Sequence, residues 1–163
     1  MKTLILVRHA RAEDKSILKR DFDRRLTASG LSEAALIGEY LKGQKCGSSY
    51  FISSPASRTV ETAEVVMKSL SVERSQLHLH AVLYEADVEE YLEIIRETDD
   101  HFESCMIFGH NPTISEVANF LCKDFRNDLS KGAVVALKFK VERWSDVKKE
   151  TGKLLFFASP KLL

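Results

Sequence analysis

The sequence predicts one α/β domain built on a largely parallel sheet, and three observations carry that expectation. Short apolar runs that read as buried strands alternate with amphipathic segments that read as helices along most of the chain. The length, 163 residues, fits a single unit able to bury a core without staples. No repeat, low-complexity tract or linker interrupts the alternation, so residues 1–163 are read as one domain.

The elements follow in order. Thr3 to Val7 is a continuous apolar run, the pattern of a strand covered on both faces. After a charged stretch, Thr27 to Lys42 reads as a helix whose stripe is Leu31, Ala34, Ala35, Ile37, Gly38 and Leu41, with Thr27 or Ser29 as cap. Tyr50 to Ser53 is a second strand. Ser54-Pro55 then starts a helix to about Ser69, a capping hydroxyl followed by proline at the first helical position. Leu77 to Val82 alternates as a strand would, with His78 and His80 on its other face. Val88 to Glu97 is a short acidic helix and Cys105 to Gly109 another buried strand. Asn111-Pro112 starts a helix ending near Cys122, and strands at Val134 to Val141 and Leu154 to Ala158 close the chain.

Composition excludes several classes. Twenty-four basic residues balance twenty-four acidic ones, so no global field attracts nucleic acid or an anionic membrane. Lys19-Arg20 and Arg24-Arg25 interleave with Asp21 and Asp23, which reads as a solvated, internally paired surface. Cys46, Cys105 and Cys122 are odd in number and lack a C-x-x-C pair, as expected of free thiols in a reducing compartment. Leu4 to Val7 is too short for a signal-peptide core or a membrane span, and the expected location is the cytoplasm.

Polar residues of one chemical type collect after three of the strands. Arg8-His9 follows the first, Arg58 lies in the first turn of the helix after the second, and His110 follows the strand ending at Gly109. In open parallel sheets ligands bind beyond the carboxyl ends of the strands. Two of these segments also open helices, whose free N–H groups favour anions. Each residue taken alone has an ordinary explanation as a strand end, a solvated helix residue or a capped turn. Two arginines and two histidines at one edge point to a phosphoryl ligand, because guanidinium groups grip phosphate through paired donors.

Competing motifs are thin. His78 and His80 suggest a metal, but no Asp-x-His or H-x-x-x-H companion lies nearby, and His101 is loosely placed. No G-x-x-x-x-G-K loop is present. Neither a metal nor another cofactor is expected.

The ordered set Leu6-Val7-Arg8-His9-Ala10, Leu26-Thr27-Ala28-Ser29-Gly30, Ser53-Ser54-Pro55-Ala56-Ser57-Arg58-Thr59, Glu61-Thr62-Ala63 and Gly109-His110-Asn111-Pro112 resembles the histidine phosphatase superfamily. Short length, Ala10 and His110-Asn111-Pro112 make it similar to the SixA-type phosphohistidine phosphatases within it. The resemblance implies a phosphoglycerate mutase-like, three-layer α/β/α sandwich. It also implies that His9 is the nucleophile that becomes phosphorylated, with Arg8, Arg58 and His110 completing the phosphate pocket and Asn111 beside them.

What the resemblance implies for substrate is phosphohistidine on a protein partner of the histidine-phosphotransfer type. A small phosphorylated substrate is the alternative within the class, and a non-catalytic phosphate-binding module the alternative outside it. Glu85 stands where the wider family often carries a general acid; it is equally read as the cap or first turn of the following helix. Arg25 is read as an ordinary surface ion pair, with a reach to the pocket rim as the alternative.

Overall fold

Four short apolar runs form the middle of a six-stranded sheet because each can bury both of its faces. The computed structural model describes residues 1–46 and 49–163. Its strands are β1 (Lys2–Arg8), β2 (Ser49–Ser53), β3 (Leu77–Leu79), β4 (Ser104–Gly109), β5 (Val134–Phe139) and β6 (Lys153–Ala158). They lie in the order β3-β2-β4-β1-β5-β6. β1, β2, β3 and β4 pair in parallel, and β5 runs antiparallel to both β1 and β6.

Alternate side chains of β1 face opposite cores, as a period of two requires. Leu4 and Leu6 pack with α3 (Val88–Arg96) and α4 (Thr113–Leu121), through Leu92, Ile95, Ile114 and Val117. Ile5 and Val7 pack with α1 (Ala28–Gln44) and α2 (Ser57–Ser69), through Ile37, Leu41, Ala63 and Val66. Two helices thus cover each face, the three-layer α/β/α arrangement expected. All four β1 residues are fully buried, and truncating Leu4, Ile5 or Leu6 to alanine costs about 2–5 kcal/mol.

Helix starts differ from expectation in instructive ways. Thr27 caps α1, its hydroxyl accepting the Gly30 N–H at 3.0 Å. Ser54 does not cap α2. Its own N–H still donates to Phe108 of β4, so the chain enters the helix only at Ser57. α4 likewise begins at Thr113, after a cis Asn111–Pro112 bond, with no side-chain cap. α3 is capped by Asp87 and Glu90 in a reciprocal box, so Glu85 is not its cap.

The strand expected over Leu77 to Val82 stops at Leu79. β2 ends at Ser53, whose carbonyl accepts the His80 N–H, and the chain then turns through a 3-10 segment, Ala81–Tyr84. His80 is therefore outside the strand, and His78 lies against the Tyr50 ring instead, with centroids 4.7 Å apart. The last strands also shift: β5 ends at Phe139 rather than Val141, and β6 begins at Lys153.

Candidate active site

β1 and β4 lie side by side, and the connections leaving them run in opposite directions, toward β2 and toward β5. Their carboxyl ends therefore flank a crevice of the kind in which open α/β sheets bind ligands. Arg8 ends β1, with Gly109 as its partner across the ladder, and His9 and His110 are the next residues on the two strands. Their ring centroids are 5.4 Å apart.

A cavity of about 410 Å³ opens there, lined by Arg8, His9, Arg58, His110 and Asn111 among others. The structure thus brings together all five of the residues expected from the sequence. The competing reading on His78 and His80 gains no ligand set: among the described residues no three His, Cys, Asp or Glu side chains group to hold an ion.

His9 is held from every side. Its N–H donates to the Gly109 carbonyl and its own carbonyl accepts the Gly132 N–H. Nδ1 lies 2.8 Å from the Ala10 carbonyl oxygen. A carbonyl only accepts, so Nδ1 carries the hydrogen and Nε2 keeps a lone pair. Burial is the main force pushing the imidazole down to about 3, with His110, Arg58 and Arg8 adding repulsion against its charged form. His9 is therefore neutral at any physiological pH.

His110 is neutral as well, pushed down to about 4 by burial and then by Arg58. It brings no cationic charge to the pocket. Its Nε2 lies 2.8 Å from the Ser54 hydroxyl, which also accepts the Ala56 N–H. A ring that takes the Ser54 proton at Nε2 carries its own hydrogen on Nδ1, a buried nitrogen with no partner among the described residues. Gly109 allows this placement. A Cβ there would come within 2.1 Å of the Tyr91 hydroxyl, which accepts the His110 N–H at 3.4 Å.

Both arginines line the cavity with their guanidinium groups anchored. Arg8 donates through Nη1 to the Leu129 carbonyl, and Arg58 through Nη1 and Nη2 to the carbonyl and carboxylate of Asp21. Both Nε atoms are buried without a partner among the described residues. Burial, and then the charge of Arg58, lower the Arg8 pKa. Thr62 ties these pieces together, accepting the Ala10 N–H and donating to the Arg58 carbonyl.

Asn111 lines the cavity, but its amide is engaged in structure: it donates to the Leu129 carbonyl and accepts from the Ser115 hydroxyl. Arg25 is outside the lining and pairs with Glu61 at 2.9 Å. Glu85 lines a separate cavity of about 200 Å³, together with Tyr84, His110 and Asn111.

The charged stretch taken for plain surface contributes what sequence reasoning missed. Asp14, Lys15, Asp21 and Arg24 all line the main cavity, as does Lys131. The Asp21 carboxylate accepts from Tyr84, Arg24 and Arg58, which holds it well below the ordinary carboxylate range. With both histidines neutral, the lining holds five cations against two carboxylates. An anion belongs there.

The profile of the histidine phosphatase superfamily (branch 1) matches residues 4–113. The chain belongs to that superfamily. An uncharacterized protein of Mycobacterium leprae is 27% identical over 150 residues, covering 86% of this chain and 89% of that one. Among solved structures, a candidate phosphohistidine phosphatase SixA from Nakamurella multipartitia superposes with a TM-score of 0.83 at 24% identity, covering 98% and 96% of the two chains. A protein histidine phosphatase SixA complexed with tungstate gives 0.81 at 22%, covering 98% and 97%. These likenesses establish the phosphoglycerate mutase-like fold of the superfamily, and membership supports phosphatase activity for this chain.

Proposed function

We propose that this superfamily member hydrolyses phosphohistidine on a protein partner, without a metal, by passing the phosphoryl group through His9. The observation that carries the reading is the Nδ1 contact of His9 with the Ala10 carbonyl. It leaves Nε2 as a neutral nucleophile on the floor of a cationic pocket. Nε2 attacks phosphorus, the P–N bond to the substrate imidazole breaks, and water then takes the phosphoryl group from His9. Arg8, Arg58 and His110 surround the phosphoryl group, and the two guanidiniums neutralise charge on its oxygens as it moves. The tungstate bound by one structural relative is a tetrahedral oxyanion of the same kind.

The leaving group narrows the substrate. Departing imidazole has a conjugate acid of pKa about 6.5 and takes its proton from solvent near neutrality. An alkoxide is far more basic and needs a positioned acid. Within the main cavity Asp21 is held ionised, and Glu85 lies in the adjoining one. That favours phosphohistidine over alkyl phosphates. Glu85 beside His110 is the one feature that favours the second reading, a small phosphorylated substrate.

Wild type and Glu85→Gln are to be compared on a phosphohistidine protein, an aryl phosphate and an alkyl phosphate, with a strong chelator present. Expected are full turnover of phosphohistidine by both proteins, little of the alkyl ester, and an acid-labile, alkali-stable phosphoenzyme that His9→Ala abolishes. Strong alkyl ester hydrolysis lost selectively in Glu85→Gln would make Glu85 a general acid and the substrate small. Inhibition by the chelator would refute the metal-free mechanism, and no turnover at all would leave a binding module.

A further inference from the structure

The connection from Ala12 to Leu26 does more than line the pocket. Ala12, Asp14, Lys15, Asp21 and Arg24 from this excursion face the cavity, while its tip carries two adjacent aliphatic side chains into solvent. Ile17 is 103% exposed and Leu18 92%, the most exposed large apolar side chains among the described residues. Other aliphatics are exposed to 40–68%, but these two are adjacent and almost wholly in solvent beside the cavity, which fits an interaction site.

The tip is held in place. Ala12 and Leu26 bridge at the base, and the Glu13 N–H donates to the Arg25 carbonyl. The Glu13 carboxylate accepts from the Arg25 N–H and from Lys19. Ser16 and Lys19 bridge above it, with the Ser16 hydroxyl accepting the Leu18 N–H. The aliphatic pair is therefore presented on a laced turn, which lowers the ordering cost of binding.

Resting on the function proposed above, we infer that Ile17 and Leu18 are the apolar anchor that seats the phosphohistidine-bearing protein. Charge and continuity select that occupant. Residues 11–25 hold six basic and four acidic side chains, a surplus of two in a chain whose net charge is zero. Lys15 and Lys131 continue the positive rim on the cavity. A phosphohistidine delivered to Nε2 of His9 brings its own protein surface against this rim. The partner surface that fits carries an apolar patch edged with carboxylates beside its phosphohistidine.

The test pairs Ile17→Ser/Leu18→Ser with wild type on a phosphorylated histidine-phosphotransfer protein and on a free aryl phosphate. Expected is a rise of tenfold or more in KM for the protein substrate, with aryl phosphate turnover and thermal melting unchanged. Equal activity of both proteins on the protein substrate would overturn the anchor alone. Equal losses on both substrates would overturn it too, by making the tip a support of the pocket. A wild type that is a dimer in sedimentation, made monomeric by the substitutions, would assign the tip to a second copy. Wild type inactive on the phosphorylated protein but active on the aryl phosphate would remove the proposed substrate, and the anchor with it.

Discussion

The excursion after β1 is clamped to α2 twice, by two arginine–carboxylate pairs of opposite polarity. In the inner clamp α2 supplies the arginine: Arg58 bonds Asp21 at 3.1 Å, with side chains 7% and 37% exposed. In the outer clamp the excursion supplies it: Arg25 bonds Glu61 at 2.9 Å, with side chains 68% and 19% exposed. The outer pair has the shorter contact and two donors on one oxygen. Contact length alone would rank it higher. Burial ranks them the other way, because water and salt screen an exposed pair to about 0–1 kcal/mol. The inner pair also sits beside Arg8, His9 and His110, where each charge alters the protonation of the others.

Removing the inner arginine should have the largest effect. Arg58→Ala is expected to lower kcat by roughly 10²–10³-fold, the usual loss for one transition-state donor, with Arg58→Lys restoring only part because lysine lacks the paired donors. Steady-state kinetics on the phosphohistidine protein measures this, and complete rescue by lysine would reduce the role of Arg58 to bare charge. Asp21→Asn cuts the same clamp from the other side. Arg58 and Arg24 then lose an ionic partner while the pocket gains positive charge, so turnover should fall on the order of tenfold and inhibition by inorganic phosphate should tighten. Unchanged inhibition would show that Asp21 does not compete with the ligand for these guanidiniums.

The neutral histidines give the inner region a pH signature that the outer one lacks. The folded chain titrates His9 near 3 and His110 near 4, while the unfolded chain titrates both near 6.5. Between about pH 6.5 and 4 the unfolded state binds more protons, so stability present at pH 7 is lost as pH falls through that window. The melting temperature should drop by about 10 °C from pH 7 to 4.5. His110→Gln should flatten part of that slope, and an identical slope in the variant would mean His110 is charged in the fold.

Arg25→Ala should do least. Activity is expected within about twofold of wild type and stability within about 1 kcal/mol, with the residual difference vanishing in 1 M salt. A larger loss of activity than in Asp21→Asn would reverse the ranking of the two clamps.

Much of the site was legible in the chain because its members stand at element ends. Arg8 and His9 follow an apolar run, and His110 follows Gly109 at the end of another, so local punctuation places them at one edge of the sheet. The errors came where a distant strand decided the outcome. Ser54 looked like a helix cap, yet its N–H is taken by Phe108 and its hydroxyl faces His110. Leu77 to Val82 alternated like a strand, yet β2 stops at Ser53 and leaves β3 only three residues to pair with. Asp21 and Arg24 looked like solvated charges because their neighbours in sequence are charges. Asp21 finds Arg58 and Tyr84, 37 and 63 residues away along the chain, and it in turn holds Arg24 at the cavity.

The sequence by itself determined the alternation of strands and helices, the two-sided burial of β1 and β4, and the three groups at their ends, Arg8, His9 and His110. Those properties follow from periodicity and turn chemistry, which act over a few residues. Tertiary structure alone decided which nitrogen of His9 is free, that both histidines are neutral, and that Asp21 is part of the pocket. Desolvation and long-range charge produce these, and both depend on which segments meet in space rather than on which residues adjoin in the chain.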